Sequence, residues 1–127
     1  QVAKIALQQG GALELGNLDA SRDWGYAPEY VEAMWRMLQN ELGARDYVIA
    51  TGTLHTVRDL LRVAFGEVGL DYEQSVTVNP DFFRPGESVP LVGNAGRIKA
   101  ELGWEPRISF EAMIRQMVRN DLKLLGG

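Results

Sequence analysis

Apolar and polar residues alternate along this chain with two periods, and the period in each stretch predicts the local element. Val2, Ile5 and Ala6 stand at helical spacing, and Gly10-Gly11 stops that helix. Leu13-Glu14-Leu15 alternates and ends at Gly16-Asn17, a turn pair. Pro28 suits the first turn of a helix. Val31, Met34, Trp35 and Leu38 follow at i, i+3, i+4 and i+7, which predicts a helix that buries this stripe. Tyr47-Val48-Ile49-Ala50 reads as a buried strand broken by Thr51-Gly52. Thr56-Val57-Arg58-Asp59 has the form of a capping box with Asp in place of Glu. Behind it, Val57, Leu60, Leu61, Ala64, Phe65 and Val68 make the clearest helical stripe of the chain, with Gly69 as its stop. Val76-Thr77-Val78 is a further strand, and Asn79-Pro80 and Arg84-Pro85-Gly86 mark irregular loops. A short helix over 97–102 ends at Gly103. Ser109 is placed to cap a last helix with Phe110, Met113, Ile114, Met117, Val118 and Leu122 on one face.

Helices thus alternate with roughly three short strands, so the fold class is α/β or α+β. A sheet this small seldom stands alone, and further strands are expected from sequence outside these residues. No internal repeat, low-complexity tract or linker divides the chain.

Composition narrows the function classes. The chain has 127 residues, 46% of them hydrophobic, enough for one core. Its net charge of −4 argues against a nucleic-acid partner, although a local cationic pocket is compatible with it. The absence of cysteine excludes disulfides, thiolate metal sites and a cysteine nucleophile, and suits the cytoplasm. No apolar run approaches the ~20 residues of a membrane span. Gln1-Val2-Ala3-Lys4 has neither an initiator methionine nor the shape of a signal peptide, and reads as the continuation of upstream sequence.

Catalytic constellations are missing. There is no G-x-G-x-x-G, no Walker motif and no Tyr-x-x-x-Lys pair. The single histidine, His55, reads as a polar loop residue, since a metal site needs convergent ligands. The notable chemistry is arginine in mixed company: Arg22-Asp23-Trp24-Gly25-Tyr26 before a helix, and Arg84-Pro85-Gly86-Glu87 after a strand. A guanidinium donates two parallel charge-assisted hydrogen bonds and so suits phosphate. Equally, Arg22 can pair with Asp23 or Glu29, and Arg84 with Glu87.

Leu15-Gly16-Asn17-Leu18-Asp19-Ala20-Ser21-Arg22-Asp23-Trp24-Gly25-Tyr26, continuing through Ala33-Met34-Trp35, is very similar to the LGNLDAxRDWGYAxDYVxAMW signature of GDP-mannose 4,6-dehydratases. Tyr47 to Gly52 followed by Thr56-Val57-Arg58 resembles the YVIATG…SVR of that family, Phe83-Arg84-Pro85 with Glu87 its YFRPxE, and Leu102 to Pro106 its LGWKP. The last block is shared across the extended short-chain dehydrogenase/reductases. The resemblance runs in order from about residue 1 to residue 125.

The resemblance implies an NADP-binding Rossmann domain followed by a smaller C-terminal substrate domain, with residues 1–127 as that C-terminal portion: a small sheet with flanking helices, completed by the Rossmann half. It implies a lyase that converts GDP-mannose to GDP-4-keto-6-deoxy-mannose with NADP recycled, working as a homo-oligomer. The family's phosphate loop, Tyr-x-x-x-Lys pair and acid/base residues all precede this segment, so no catalytic residue maps here. Substrate binding does map. Arg22 and Arg84 match arginines that contact the diphosphate, and their guanidinium groups are expected to meet in one cleft. Glu87 matches the acid that takes the ribose hydroxyls, and Leu15, Gly16 and Asn17 line the nucleoside. Asp23 is expected to cap the next helix or orient Arg22. Trp24, Trp35 and Trp104 are expected in the core, Thr51-Gly52 as a turn, and Arg58 on a neighbouring carboxylate. Gly93-Asn94 stands where the family usually reads Gly-Asp, and Ser88-Val89 where it has an apolar-acidic pair. These departures keep the related GDP-4-keto-6-deoxy-mannose reductase, or another nucleotide-sugar epimerase or dehydratase, open as the branch. A non-catalytic nucleotide-sugar binding module is the third reading.

Overall fold

A computed structural model describes residues 1–84 and 89–126. Helices α1 (Val2–Ala6), α2 (Ala27–Gln39), α3 (Val57–Glu67), α4 (Gly96–Leu102) and α5 (Phe110–Gly126) surround short strands β1 (Leu13–Leu15), β2 (Ser21–Arg22), β3 (His55–Thr56) and β4 (Val76–Val78). Each strand pairs with one other. β1 and β4 are parallel, with Leu13 opposite Val76 and Leu15 opposite Val78. β2 and β3 are antiparallel, with Ser21 opposite Thr56 and Arg22 opposite His55.

Helix α3 forms the centre, for reasons already present in its sequence. Thr56 accepts from the N–H of Asp59, and the Asp59 carboxylate accepts from the N–H of Thr56 at 2.9 Å, completing the capping box. Val68 closes the helix, and Gly69 takes the left-handed conformation beyond it. On one side Ala64 packs with Phe110, Met113, Ile114 and Val118 of α5. On the other, Leu61 and Phe65 pack with Leu18 and Tyr72. The Ser109 hydroxyl caps α5, accepting from the N–H of Ala112 at 3.1 Å.

A third core cluster joins α2 to α4: Ala33, Ile98 and Trp104, with Tyr30, Met37, Tyr47 and Ile49 against it. Here the sequence expectation is corrected. Val31, Met34, Trp35 and Leu38 are not buried; they are 61, 54, 61 and 82% exposed. The inward face is instead Tyr30, Ala33 and Met37, displaced by one residue, or about 100° around the helix. The cause is that α2 is apolar on two faces, and hydrophobic spacing does not say which face meets which neighbour. Trp35 is therefore a surface residue, whereas Trp104 is buried and Trp24 half-buried.

The expected strand at 47–50 is also corrected. These residues form no ladder with the described residues, and Val48 is exposed. Conversely, β2 and β3 occupy stretches read as loops, so His55 is a half-buried strand residue.

Candidate functional site

Leu15, Gly16, Asn17 and Arg22 sit between the end of β1 and the start of α2, and Arg84 follows β4. β1 delivers Leu15, Gly16 and Asn17. The Leu15 carbonyl accepts from the N–H of Asn79 at 2.7 Å, and the Asn17 side chain accepts from the N–H of Asp19 at 2.9 Å. Gly16 lies directly against the chain at Phe82. A Cβ at Gly16 would stand 2.6 Å from the Phe82 carbonyl oxygen, so only glycine allows this approach. Arg84 follows Phe82 by two residues and is exposed, as is Arg22 at the end of β2. A guanidinium nitrogen of Arg22 donates to the Ser21 carbonyl at 2.8 Å. Glu87 lies outside the described residues.

Asp23 does not cap α2, whose N-cap residue is Tyr26 and has no side-chain cap. Its carboxylate reaches across the chain instead. One oxygen accepts from the Thr51 N–H at 2.9 Å and from the Thr51 hydroxyl; the other accepts from the N–H of Gly52 at 2.9 Å and of Gly93 at 3.1 Å. Partial burial pushes this carboxyl up, but the Thr51 hydroxyl and the three N–H groups outweigh it and hold it below its ordinary value. Sequence reasoning offered Asp23 as a cap or as an orienter of Arg22, and missed these remote partners. The signal available was weak: a loop carboxylate and, far away, glycine-containing turns whose N–H groups would need acceptors.

The segment that carries Arg84 is consequently held at both ends by the segment that carries Arg22. Upstream, Asn79 and Phe82 lie on Leu15 and Gly16; downstream, Gly93 is bound by Asp23.

Beside this junction, aromatic rings stack in a row. Trp24 lies 5.7 Å from Phe110, and His55 lies parallel to Phe110 at 3.9 Å. A cavity of about 300 Å³ opens among Trp24, Thr53, His55, Phe110 and Glu111, and another of about 570 Å³ among Gly52, Gly93, Gly96, Lys99 and Trp104. Neither is lined by Arg22 or Arg84, both of which are exposed residues. Arg58 donates to a carboxylate, as expected, but at 3.1 Å to Asp19, which is remote in sequence and off the helix. Among the described residues there is no cluster of potential metal ligands, and no helix is long and apolar enough to cross a membrane.

The same segments carry the likeness to known proteins. The family model for GDP-mannose 4,6 dehydratase matches residues 1–117. GDP-mannose 4,6 dehydratase 1 of Arabidopsis thaliana is 49% identical over 121 residues, covering 95% of this chain and 33% of that protein. The GDP-mannose 4,6 dehydratase of Homo sapiens is 43% identical over 141 residues, covering 98% of this chain and 38% of that protein. In solved structures, the fold is that of RMD from Pseudomonas aeruginosa complexed with NADPH, with a TM-score of 0.86 at 20% identity, covering 98% of this chain and 41% of that one. The likeness supports the α/β class. The chain spans about a third of the length of these curated relatives. With the family model covering nearly all of the segment from β1 to α5, the chain belongs to the GDP-mannose 4,6-dehydratase family.

Proposed function

We propose that residues 1–127 are the C-terminal substrate-binding portion of an NADP-dependent GDP-mannose 4,6-dehydratase, a lyase forming GDP-4-keto-6-deoxy-mannose, and that this portion binds the GDP end of the substrate. The complete enzyme on this reading is a cytoplasmic homo-oligomer. The observation that carries the proposal is the double attachment of the Arg84 segment to the Arg22 segment, at Gly16–Phe82 and at Asp23–Gly93. On this reading the two guanidinium groups meet at the diphosphate, which compensates the repulsion between them.

The chemistry of this portion is recognition. The forks of Arg22 and Arg84 donate to the diphosphate. Glu87 accepts from the ribose hydroxyls, and Leu15 to Asn17 run along the nucleoside. The residues present do not fit NADP. A dinucleotide pyrophosphate is cradled by open glycine N–H groups at a helix start. Here the N–H groups of Gly52 and Gly93 are taken by Asp23, and that of Gly96 by the Asn94 side chain at 2.9 Å. The cofactor therefore belongs to the N-terminal portion, and no step through it is derived from this chain.

The outer stripe of α2 supports the same division. Four large apolar side chains on one exposed helix face are what a helix presents to a layer it helps to cover.

The test is calorimetric titration of the complete enzyme with GDP-mannose. Arg22→Ala or Arg84→Ala should each weaken binding by about 1.5–3 kcal/mol, the range for hydrogen bonds to charged groups. NADP affinity should stay within about twofold, since the two sites share no residue here. Unchanged GDP-mannose affinity in both variants would remove the proposal.

A further inference from the structure

We infer that Asp23 is the positioning residue of the substrate site: it fixes the backbone that presents Arg22 without itself touching the ligand. The inference rests on the substrate role proposed for Arg22 and names the residue through which that role is built.

The argument starts from the number and origin of the donors. Loop aspartates commonly satisfy themselves on the N–H two residues ahead, as Asp71 does with Glu73 at 3.1 Å. Asp23 makes no such local bond. Its partners, Thr51, Gly52 and Gly93, come from two remote segments, and both carboxylate oxygens are used. Bonds to an ionised acceptor are roughly twice as strong as neutral ones, so this is a firm anchor for an irregular stretch of chain.

The geometry makes the anchor specific to Arg22. Along an extended backbone successive side chains point to opposite sides. Asp23 is half-buried and turned toward the 51–53 turn, while Arg22 is exposed. The backbone at Arg22 is thus held twice: by its register against His55, and immediately after by the Asp23 carboxylate. The anchor requires Gly93 to come close. A Cβ there would stand 2.2 Å from the Ala50 Cβ, so any larger residue would push the Gly93 N–H away from Asp23. A long cation that binds from a fixed backbone loses less freedom on binding than one on a mobile loop, and the difference appears as ligand affinity. The depressed protonation of Asp23 fits a carboxylate kept charged for this purpose.

A fold staple and a positioning residue make different predictions in a double-mutant cycle. The complete enzyme is titrated with GDP, which binds without reacting, and with NADPH. Asp23→Asn replaces one accepting oxygen by an amide that cannot take the Gly52 and Gly93 N–H groups. It should weaken GDP about tenfold and leave NADPH within about twofold. Asp23→Glu, which keeps the charge, should recover part of the loss. In an Arg22→Ala background the further loss on Asp23→Asn should shrink to about twofold or less, because the group being positioned is gone.

A tenfold loss that persists undiminished in the Arg22→Ala background would overturn the positioning role while leaving the substrate site standing. Normal GDP affinity in Arg22→Ala alone would sink the substrate reading itself, and the inference with it. If Asp23→Asn does not fold, Thr51→Val takes its place, since it removes only the hydroxyl donor. A loss of GDP affinity of about threefold that vanishes in the Arg22→Ala background sustains the inference, and an unchanged affinity overturns it.

Discussion

The indole N–H of Trp104 donates to the backbone carbonyl of Glu29 at 2.9 Å, deep in the third core cluster. The Glu29 carboxylate completes the connection, accepting from the N–H of Arg107 at 2.9 Å and of Ile108 at 3.2 Å. Glu29 is the single buried charged residue among the described ones, and it is fully bonded. One residue in the first turn of α2 thereby fixes the turn between α4 and α5. Arg36 adds a second tie from the same helix, donating to the carbonyls of Leu102 and Gly103 at 3.0 and 2.8 Å.

This tie predicts a local, readable loss. Glu29→Ala leaves two partly buried N–H groups without acceptors, at a cost of about 1–3 kcal/mol each. In hydrogen-exchange mass spectrometry, peptides covering Arg107 and Ile108 should exchange at least about tenfold faster. Peptides within α3, which shares no contact with Glu29 in its cluster, should be unchanged. Equal exchange in both proteins would mean that water replaces the carboxylate without cost.

The outer face of α2 predicts behaviour in solution. The isolated 127-residue chain exposes Val31, Met34, Trp35 and Leu38 together. A contiguous patch of this kind drives association. Light scattering after size-exclusion chromatography should show oligomers at micromolar concentration. Trp35→Glu with Leu38→Lys should give a monomer with the same helical circular dichroism, because neither side chain contributes to the third core. A clean monomer before substitution would show that the stripe needs no cover.

Much of this fold is readable from local spacing, and the failures share one cause. α3 follows from a cap residue, a stripe and a stop that lie close together in the chain, and α5 from a cap residue and a stripe. β1 and β4 follow from short alternation. What local spacing does not contain is the identity of the neighbour. It shows an apolar stripe on α2 but not that a different face, through Ala33, meets Trp104. It shows β-branched residues at 47–50 but not whether a partner strand lies within these residues. It misses β2 and β3, whose pairing joins two-residue segments remote in sequence. At the site, Arg22 and Arg84 stand out through their residue type and the family's motif. The partners of Asp23 do not, because residues 51, 52 and 93 are adjacent to it only after folding.

Two carboxylates predict the acid limb of stability. The N–H and hydroxyl of Thr56 hold Asp59 below its ordinary value of 3.8, against a smaller desolvation that raises it. Asp23 is lowered from the same value by its own set of donors, against desolvation. A folded value below the unfolded one means that the unfolded chain binds more protons as pH falls, so stability rises with pH in that range. The contribution is complete above about pH 4 and is lost as pH falls through the folded values. Thermal melts from pH 6 down to pH 2.5 should show Tm dropping below about pH 4, and Asp59→Asn should flatten part of that drop. A wild-type Tm that is level across this range would contradict the capping role. Asp59 is partly exposed, so added salt should weaken only its Arg62 component.

The last prediction concerns activity. Hydride transfer requires a bound nicotinamide and a positioned acid/base. The chain has neither a glycine-rich phosphate loop nor a Tyr-x-x-x-Lys pair. The glycine N–H groups that come closest to such a loop are already engaged by Asp23 and Asn94. Recognition and chemistry are therefore expected to be separable. The isolated chain, incubated with NADP and GDP-mannose, should form no 4-keto product above the rate in buffer. The double substitution on α2 keeps it in solution and removes aggregation as an explanation for silence. Adding the N-terminal portion of the enzyme as a separate polypeptide to the unsubstituted chain, whose α2 stripe is intact, should restore turnover, and the restored rate should fall when Arg22 is replaced by Ala. Product formation that scales with the concentration of the isolated chain would place the reacting groups within these residues and undo the division argued above.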